Sequence, residues 1–393
     1  MLDVLQHMLE QEGCTDVVCM SDGTSALAWL DAQAQPAQMV VLDINMPGMD
    51  GVEFVRHLAE RKFTGSLLLV SGEDELLLQA TEKLARAYEL ETATPLRKPP
   101  TPDALRAALA QLQAPKTPGR RQAKRKQYSP DEVLTAIQSG QLVNWYQPKV
   151  AVKTGEVVGA EALVRWQHPT DGLVFPDQFI PIAEAGGFIN ELTRVVARAA
   201  VAQAREWLAA GLKLRVAINV SMDDLATLAL ADRMIAKTEE GGVPPQFMQI
   251  EITESRLMKS VTSVLDQLIR LRLKRFRLSI DDFGSGHSSL VQLRDLPFDE
   301  LKIDRSFTHN ASHDARLRAI FAASLNLGRT LGMEVVAEGV EDRDDWDFLI
   351  ETGVNIAQGY FIARPMPAAA MQGWLHEWEA RLWQDGLLPT ETH

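Results

Sequence analysis

Leu278-Ser279-Ile280-Asp281-Asp282-Phe283-Gly284-Ser285-Gly286-His287-Ser288-Ser289-Leu290 turns a short apolar run into two adjacent carboxylates and then into a glycine-bearing polar loop. Such a stretch reads as the carboxyl end of a strand. Two neighbouring acids there are costly unless positive charge sits between them, and a divalent cation gripped by oxygen ligands is the simplest source. Taken alone, Asp-Asp followed closely by Gly is also an ordinary solvated turn, so its meaning depends on what falls at the ends of the other strands.

From about residue 128 to 385 the chain repeats this pattern, with apolar runs that finish in polar residues and are followed by helical segments. There are eight such runs, at 143–152, 157–166, 214–221, 248–254, 276–282, 300–304, 334–338 and 356–361. Eight strands with interposed helices over some 250 residues predict a modified (β/α)8 barrel of the TIM type, whose chemistry lies at the carboxyl ends of its strands. The first two runs are joined by the turn-like Lys153-Thr154-Gly155, which predicts a hairpin and a first strand antiparallel to the rest.

The side chains at those ends are Glu161 and Arg165, Asn219, Glu251 and Glu254, Asp281 and Asp282, Lys302 and Asp304, Glu338, and Gln358. Carboxylates converging from several strands on one mouth repel each other unless cations intervene. The donors are all oxygen, with no His or Cys among them, which points to magnesium or manganese rather than zinc or copper. Two ions roughly 3.5 to 4 Å apart form a recurring device for cleaving phosphodiesters. Asp281 is suited to bridge such a pair. Glu161, Asn219 and Glu251 would complete one site, and Asp282, with Glu338 as a further candidate, the other. Lys302 could hydrogen-bond or help deprotonate an attacking water, and Arg165 could pair with a phosphate oxygen.

These residues closely resemble the EAL-domain phosphodiesterases that linearise cyclic di-GMP. The resemblance rests on Glu161-Ala162-Leu163 with Arg165, Asn219-Val220-Ser221, Glu251-Ile252-Thr253-Glu254, Asp281 to Ser289, Leu301-Lys302-Ile303-Asp304, Ala337-Glu338-Gly339-Val340-Glu341 and Gln358-Gly359-Tyr360. It covers roughly residues 133 to 375 and implies hydrolysis of one phosphodiester of cyclic di-GMP to linear pGpG. By the same resemblance two Mg²⁺ or Mn²⁺ ions sit on Glu161, Asn219, Glu251, Asp281 and Asp282, and Glu338 and Lys302 activate water, with Glu161 also catalytic. Arg165, Leu163, Asp304 and Gln358 then line the substrate pocket, and Glu254 anchors the loop 283–289. His287 stands where the family usually has Tyr, a change bearing on regulation through this loop; it is expected to be solvated rather than a ligand. A catalytically inactive module that only binds cyclic di-GMP is the alternative, but such modules are expected to lose ligands or activating groups, and here each is present.

The first 113 residues alternate differently, with helical faces at 2–11, 22–30, 52–61 and 103–112 and strand candidates at 17–20, 38–42 and 66–70. Repeated strand-then-helix units predict a parallel sheet covered on both faces. This segment resembles a flavodoxin-like response-regulator receiver domain, on the strength of Val40-Val41-Leu42-Asp43-Ile44-Asn45-Met46-Pro47-Gly48-Met49-Asp50-Gly51, of Ser71 and of Lys98-Pro99. The resemblance implies Asp43 as phospho-acceptor, Ser71 and Lys98 as the groups that sense the phosphoryl oxygen, and a sensor histidine kinase as phosphodonor. Receivers begin with an apolar strand ending in an acidic pair, whereas this chain begins within the helix that follows. The expectation is a start codon placed too far downstream, with that strand encoded upstream; a degenerate receiver that is not phosphorylated at Asp43 is the alternative.

Residues 114–127 carry Pro115, Pro118, Gly119 and six basic side chains, and read as a solvated linker between a receiver at 1–113 and a barrel domain at 128–393. Ser129-Pro130 predicts a capped helix start. Across all 393 residues, 46% apolar and 24% charged residues describe a globular protein with room for two cores. A net charge of -13 argues against a nucleic-acid polymer or an anionic membrane as partner, and no helix-turn-helix or zinc-finger signature supports a transcription regulator. Cys14 and Cys19 are the only cysteines, too few for a disulfide framework or a thiolate zinc site. No run approaches the roughly 18 to 20 apolar residues that span a bilayer. The expectation is a cytoplasmic protein without membrane insertion that assembles as a homo-oligomer. Trp374, Trp378 and Leu382, at i, i+4 spacing, are expected to face the core of the last helix, with a dimer contact as the lesser alternative.

Overall fold

The computed structural model describes residues 2–33, 35–72, 75–113, 126–227, 229–253, 261–284, 293–294 and 296–388. The chain separates into two compact units, Met1–Lys124 and Arg125–His393.

In the first unit four strands lie parallel: β1 (Met39–Asp43), β2 (Ser66–Ser71), β3 (Glu91–Thr92) and β4 (Leu96–Arg97). β1 pairs with one side of β2, while β3 and β4 share its other side in succession. Successive residues of a strand point to opposite faces, and β2 shows the consequence. Leu67 and Leu69 enter a core with Phe54 and Leu58, whereas Leu68 and Val70 enter a second core with Leu9, Leu105 and Leu109. Helices therefore cover both faces, as an all-parallel sheet requires. The expected strand at 17–20 does not form: residues 14–20 have no regular structure. A strand needs a neighbour for its backbone donors and acceptors, and among the described residues β1 pairs only with β2.

The second unit opens on helix Pro130–Gln138, where Ser129 and Glu132 cap each other reciprocally and Pro130 takes the first helical position. Ten strands follow: β5 (Leu142–Ala151), β6 (Val157–His168), β7 (Gly172–Val174), β8 (Arg215–Asn219), β9 (Met248–Thr253), β10 (Arg277–Phe283), β11 (Glu300–Ile303), β12 (Glu334–Ala337), β13 (Ile356–Ala357) and β14 (Met366–Pro367). Eight of them, β5, β6 and β8 to β13, close into a barrel through the β5–β6 and β13–β5 pairings. β5 runs antiparallel to both neighbours and the remaining ladders are parallel. The reversed first strand anticipated from Lys153-Thr154-Gly155 is thus present.

Alternation sorts each strand between shell and axis. Ala160, Ala162, Val164 and Trp166 of β6 join the apolar shell, leaving Glu161, Leu163 and Arg165 on the opposite face. Helix Ile189–Ala209 lays Leu192, Val196, Ala200, Ala204 and Trp207 into the shell. In the last helix, Met371–Gln384, Trp378 meets Trp346 edge-on at 5.8 Å and donates its indole N–H to the Gly155 carbonyl at 2.8 Å. Leu382 is buried with it and Trp374 packs against the same core, as expected for a core-facing stripe. Among the described residues no helix is long and apolar enough to cross a membrane.

Candidate active site

Lys302 stands at the carboxyl end of β11 with its side chain 1% exposed. Its Nζ lies 2.7 Å from Glu338 Oε1, 2.9 Å from Asp281 Oδ1, 2.9 Å from Glu251 Oε2 and 3.4 Å from Glu161 Oε2. Four carboxylates from four strand ends thus surround one ammonium. Asn219 Nδ2 donates to Glu161 Oε1 at 2.7 Å, and Gln358 Nε2 donates to Glu161 Oε2 at 2.8 Å. Gln358 Oε1 is buried without a partner among the described residues.

Two triads of carboxylate oxygens each gather within 4.8 Å: Glu161, Glu251 and Asp281, and Asp281, Asp282 and Glu338. Asp281 belongs to both. In a regular strand Asp281 and Asp282 would point to opposite faces. Here the β10–β11 register shifts between Ile280 and Phe283, and Asp282 takes φ of 56°. This bulge, with a non-glycine residue in the left-handed region, turns both acids to the same mouth.

Electrostatics follow from crowding. Burial pushes Glu161 and Glu338 above the usual carboxylate range, Glu338 far above it, despite the opposing pull of Lys302. Asp282 rises to about 6, first through burial and then through the charges of Asp281 and Asp304. Burial works on Glu251 in the same direction, but two ammonium groups, Lys149 and Lys302, outweigh it and hold Glu251 at about 2. Lys302 stays firmly protonated because the four acids outweigh its burial. The site gathers more carboxylates than its two ammonium groups can balance.

Arg165 is buried, its guanidinium 5.2 Å from the Phe175 ring centroid and 5.9 Å from that of Trp145. Its Nε has no partner among the described residues. Leu163 pairs across the ladder with Trp145. Asp304 caps helix Arg305–Thr308 through the Ser306 N–H, and its charge is among those that raise Asp282. Glu254 and the loop at 285–292, including His287, lie outside the described residues.

Sequence inspection overlooked Gln147, Lys149, Gln249 and Glu300, which are buried beneath the cluster. Each belongs to a strand that looks apolar on the whole, Gln147 and Lys149 within β5, Gln249 near the start of β9 and Glu300 opening β11. A Lys and a Glu within such runs are the signal that could have found them, since buried charges come paired. Gly359, next to Gln358, is also required by packing. A Cβ there would stand 2.2 Å from the Val340 carbonyl oxygen and 2.3 Å from its nitrogen. Gly359→Ala is expected to cost about 2 kcal/mol or more and to shift Gln358 off Glu161. A thermal melt together with turnover checks this, and an unchanged melt with full activity would contradict it.

In the first unit Asp43 ends β1 and Ser71 ends the neighbouring β2, with Lys98 just beyond β4. Lys98 forms an ion pair with Asp43, the Asn45 N–H donates to Asp43 Oδ1 at 3.1 Å, and Ser71 is fully buried. The three residues thus gather at the carboxyl edge of one parallel sheet.

Both regions of the chain match known families. The EAL domain family matches residues 131–365 and the response regulator receiver domain family residues 1–110. Cyclic di-GMP phosphodiesterase RocR of Pseudomonas aeruginosa is 34% identical over 348 residues, 88% of this chain and 88% of that protein. Cyclic di-GMP phosphodiesterase NbdA of the same organism is 42% identical over 62% of this chain, which spans only 31% of NbdA. Among solved structures, the c-di-GMP complex of the PaMucR phosphodiesterase is 40% identical, with a TM-score of 0.59 over 61% of this chain and 98% of that one. The EAL domain protein from Listeria monocytogenes EGD-e is 30% identical, with a TM-score of 0.56 over 64% and 98%. With a barrel, a carboxylate-rich mouth and a receiver-like sheet all in place, this chain belongs to the EAL domain family and carries a response regulator receiver domain ahead of its EAL domain.

Proposed function

We propose that the chain is a phosphodiesterase that hydrolyses one phosphodiester of cyclic di-GMP to linear pGpG under the control of its receiver. The observation that carries this is the pair of carboxylate triads sharing Asp281 around Lys302. In this reading residues 1–113 are the receiver, 114–127 the linker and 128–393 the phosphodiesterase domain. Asp43 takes a phosphoryl group from a sensor histidine kinase, with Ser71 and Lys98 binding the product. A cytoplasmic homo-oligomer, without a nucleic-acid polymer or membrane insertion, completes the proposal.

The residues fit two hard divalent cations, Mg²⁺ or Mn²⁺. The donors are oxygens, charge is in excess, and the orphaned Gln358 Oε1 leaves a buried acceptor. Glu161, Asn219, Glu251 and Asp281 would hold one ion, and Asp281 and Asp282 the other. When bound, such a pair polarises the phosphoryl oxygens and acidifies water.

The chain's own groups do the rest. Arg165, held between aromatic rings with a free Nε, presents its guanidinium to a phosphate oxygen. Leu163, Asp304 and Gln358 shape the pocket around the dinucleotide. Glu338, whose surroundings raise its proton affinity, takes the proton from the attacking water. Lys302 Nζ orients that water and holds Glu338, Asp281 and Glu161 in one arrangement. The water oxygen bonds to phosphorus and the bond to the ribose oxygen breaks; that oxygen takes a proton from solvent, and Glu338 returns to solvent the proton it took from the water.

Incubation of the full chain with Mg²⁺ and cyclic di-GMP should yield pGpG by chromatography; binding without product would leave a receptor module in its place. Because Asp282 binds a proton near pH 6, protons compete with the cation there. Affinity of the substrate-free chain for Mg²⁺ should fall by up to about tenfold per pH unit below about 6. Calorimetric titration across pH 5 to 7.5 checks this, and a flat profile would refute it. A small-molecule phosphodonor should add one phosphoryl group to the receiver and none to Asp43→Asn, as read by intact mass; equal labelling of both would remove Asp43 from its role.

A further inference from the structure

Beneath the carboxylate mouth lies a second charged tier, made by Lys149 of β5, Gln249 of β9, Ser279 of β10 and Glu300 of β11, all buried. Lys149 Nζ donates to Glu251 Oε1 at 2.6 Å and to Glu300 Oε1 at 3.1 Å. Glu300 Oε1 is fixed in turn by Gln249 Nε2 at 2.6 Å and Ser279 Oγ at 2.9 Å, and Gln249 Nε2 also stands 3.4 Å from Glu251 Oε1. Glu251 Oε2 faces the other way, toward Lys302 in the mouth at 2.9 Å. The two oxygens of one carboxylate are thus committed to different tiers.

Resting on the metal-site reading above, we infer that Lys149 is a positioning residue that makes Glu251 a one-oxygen ligand and so sets the ion preference of the site. Lys149 is anchored from below by Glu300, which Gln249 and Ser279 immobilise, and it holds Oε1 down in the lower tier. Oε2 alone is then offered to the mouth. Mg²⁺ demands near-ideal octahedral geometry with few, short contacts, whereas Ca²⁺ accepts more oxygens and readily takes both from one carboxylate. Restricting Glu251 to one oxygen therefore disfavours the larger ion.

The test is direct titration of Mg²⁺ and Ca²⁺ into the full chain without substrate, by calorimetry. Lys149→Met alone strands Glu300 as a buried unpaired charge and can fail to fold. The pair Lys149→Met with Glu300→Gln removes both charges while leaving an amide oxygen for Gln249 and Ser279. In that variant the Mg²⁺-to-Ca²⁺ ratio of dissociation constants is expected to rise by about tenfold, the scale of one gained charged contact. A change in local charge or overall stability moves both ions together; only a change in ligand number moves the ratio. An unchanged ratio in a double variant that melts like the parent overturns the role of Lys149. Absence of any divalent binding to the parent chain overturns the metal-site reading itself.

Discussion

Lys302→Met is expected to lose turnover by at least about 10³-fold and, without metal, to lose about 3–5 kcal/mol of stability. The side chain is 1% exposed and its Nζ touches four carboxylates, so nothing in solvent can replace it. Removing one partner of a buried ionic cluster leaves the others uncompensated, which costs far more than the pair was worth. Burial already raises Glu161 and Glu338 even with the ammonium present; without it they would bind protons more tightly still. Added Mg²⁺ or Mn²⁺ should therefore recover much of the melting temperature but not the turnover, since the group proposed to orient the water is gone. Melts in chelator and in Mg²⁺, run beside the chromatographic assay, separate the two effects. A variant that melts normally in chelator, or that turns over at more than a few per cent of the parent, would show that Lys302 is not the keystone of the cluster.

Glu161→Ala and Glu338→Ala should each lower turnover by about 10³-fold or more while leaving the fold intact. The two halves of this expectation have separate causes. Glu161 is reached by Asn219, Gln358 and Lys302, so its loss disperses one triad, and Glu338 is the proton acceptor in the proposed hydrolysis. Stability moves the other way. Glu338 has a folded-state pKa well above its ordinary 4.5, so its ionised form is disfavoured in the native state. Its contribution to stability is fully present below pH 4.5 and is lost as pH rises through the elevated folded value. The metal-free parent should accordingly lose stability from mildly acidic to alkaline pH, and Glu338→Ala should flatten that slope. Melting profiles in chelator from pH 5 to 8 decide it; a steeper slope in the variant would reverse the sign argued here.

Much of this was legible without coordinates because the relevant signals are local. Apolar runs of strand length ending in polar residues located the barrel strands, and Lys153-Thr154-Gly155 marked the hairpin that reverses β5. Ser129 and Pro130 announced their helix, since a cap depends on a few neighbouring residues. The strand anticipated at 17–20 failed for the converse reason. A strand is stabilised by its neighbour, and nothing in its own residues specifies whether that neighbour is present.

Residue types and their order along the chain determined that carboxylates, a lysine and an arginine would meet at the carboxyl ends of barrel strands, because strand period and barrel connectivity leave few other places for them. Three things were decided only by the tertiary structure. The bulge at Asp281 and Asp282 overrides the strand period and brings both acids to one mouth. Lys302 sits at the centre of four acids that are up to 177 positions apart in the chain, a distance set by barrel closure. The lower tier of Lys149 and Glu300 joins β5 to β11 across the axis. Each arises from side chains meeting across a closed sheet, and such meetings depend on register and packing that no single stretch of sequence contains.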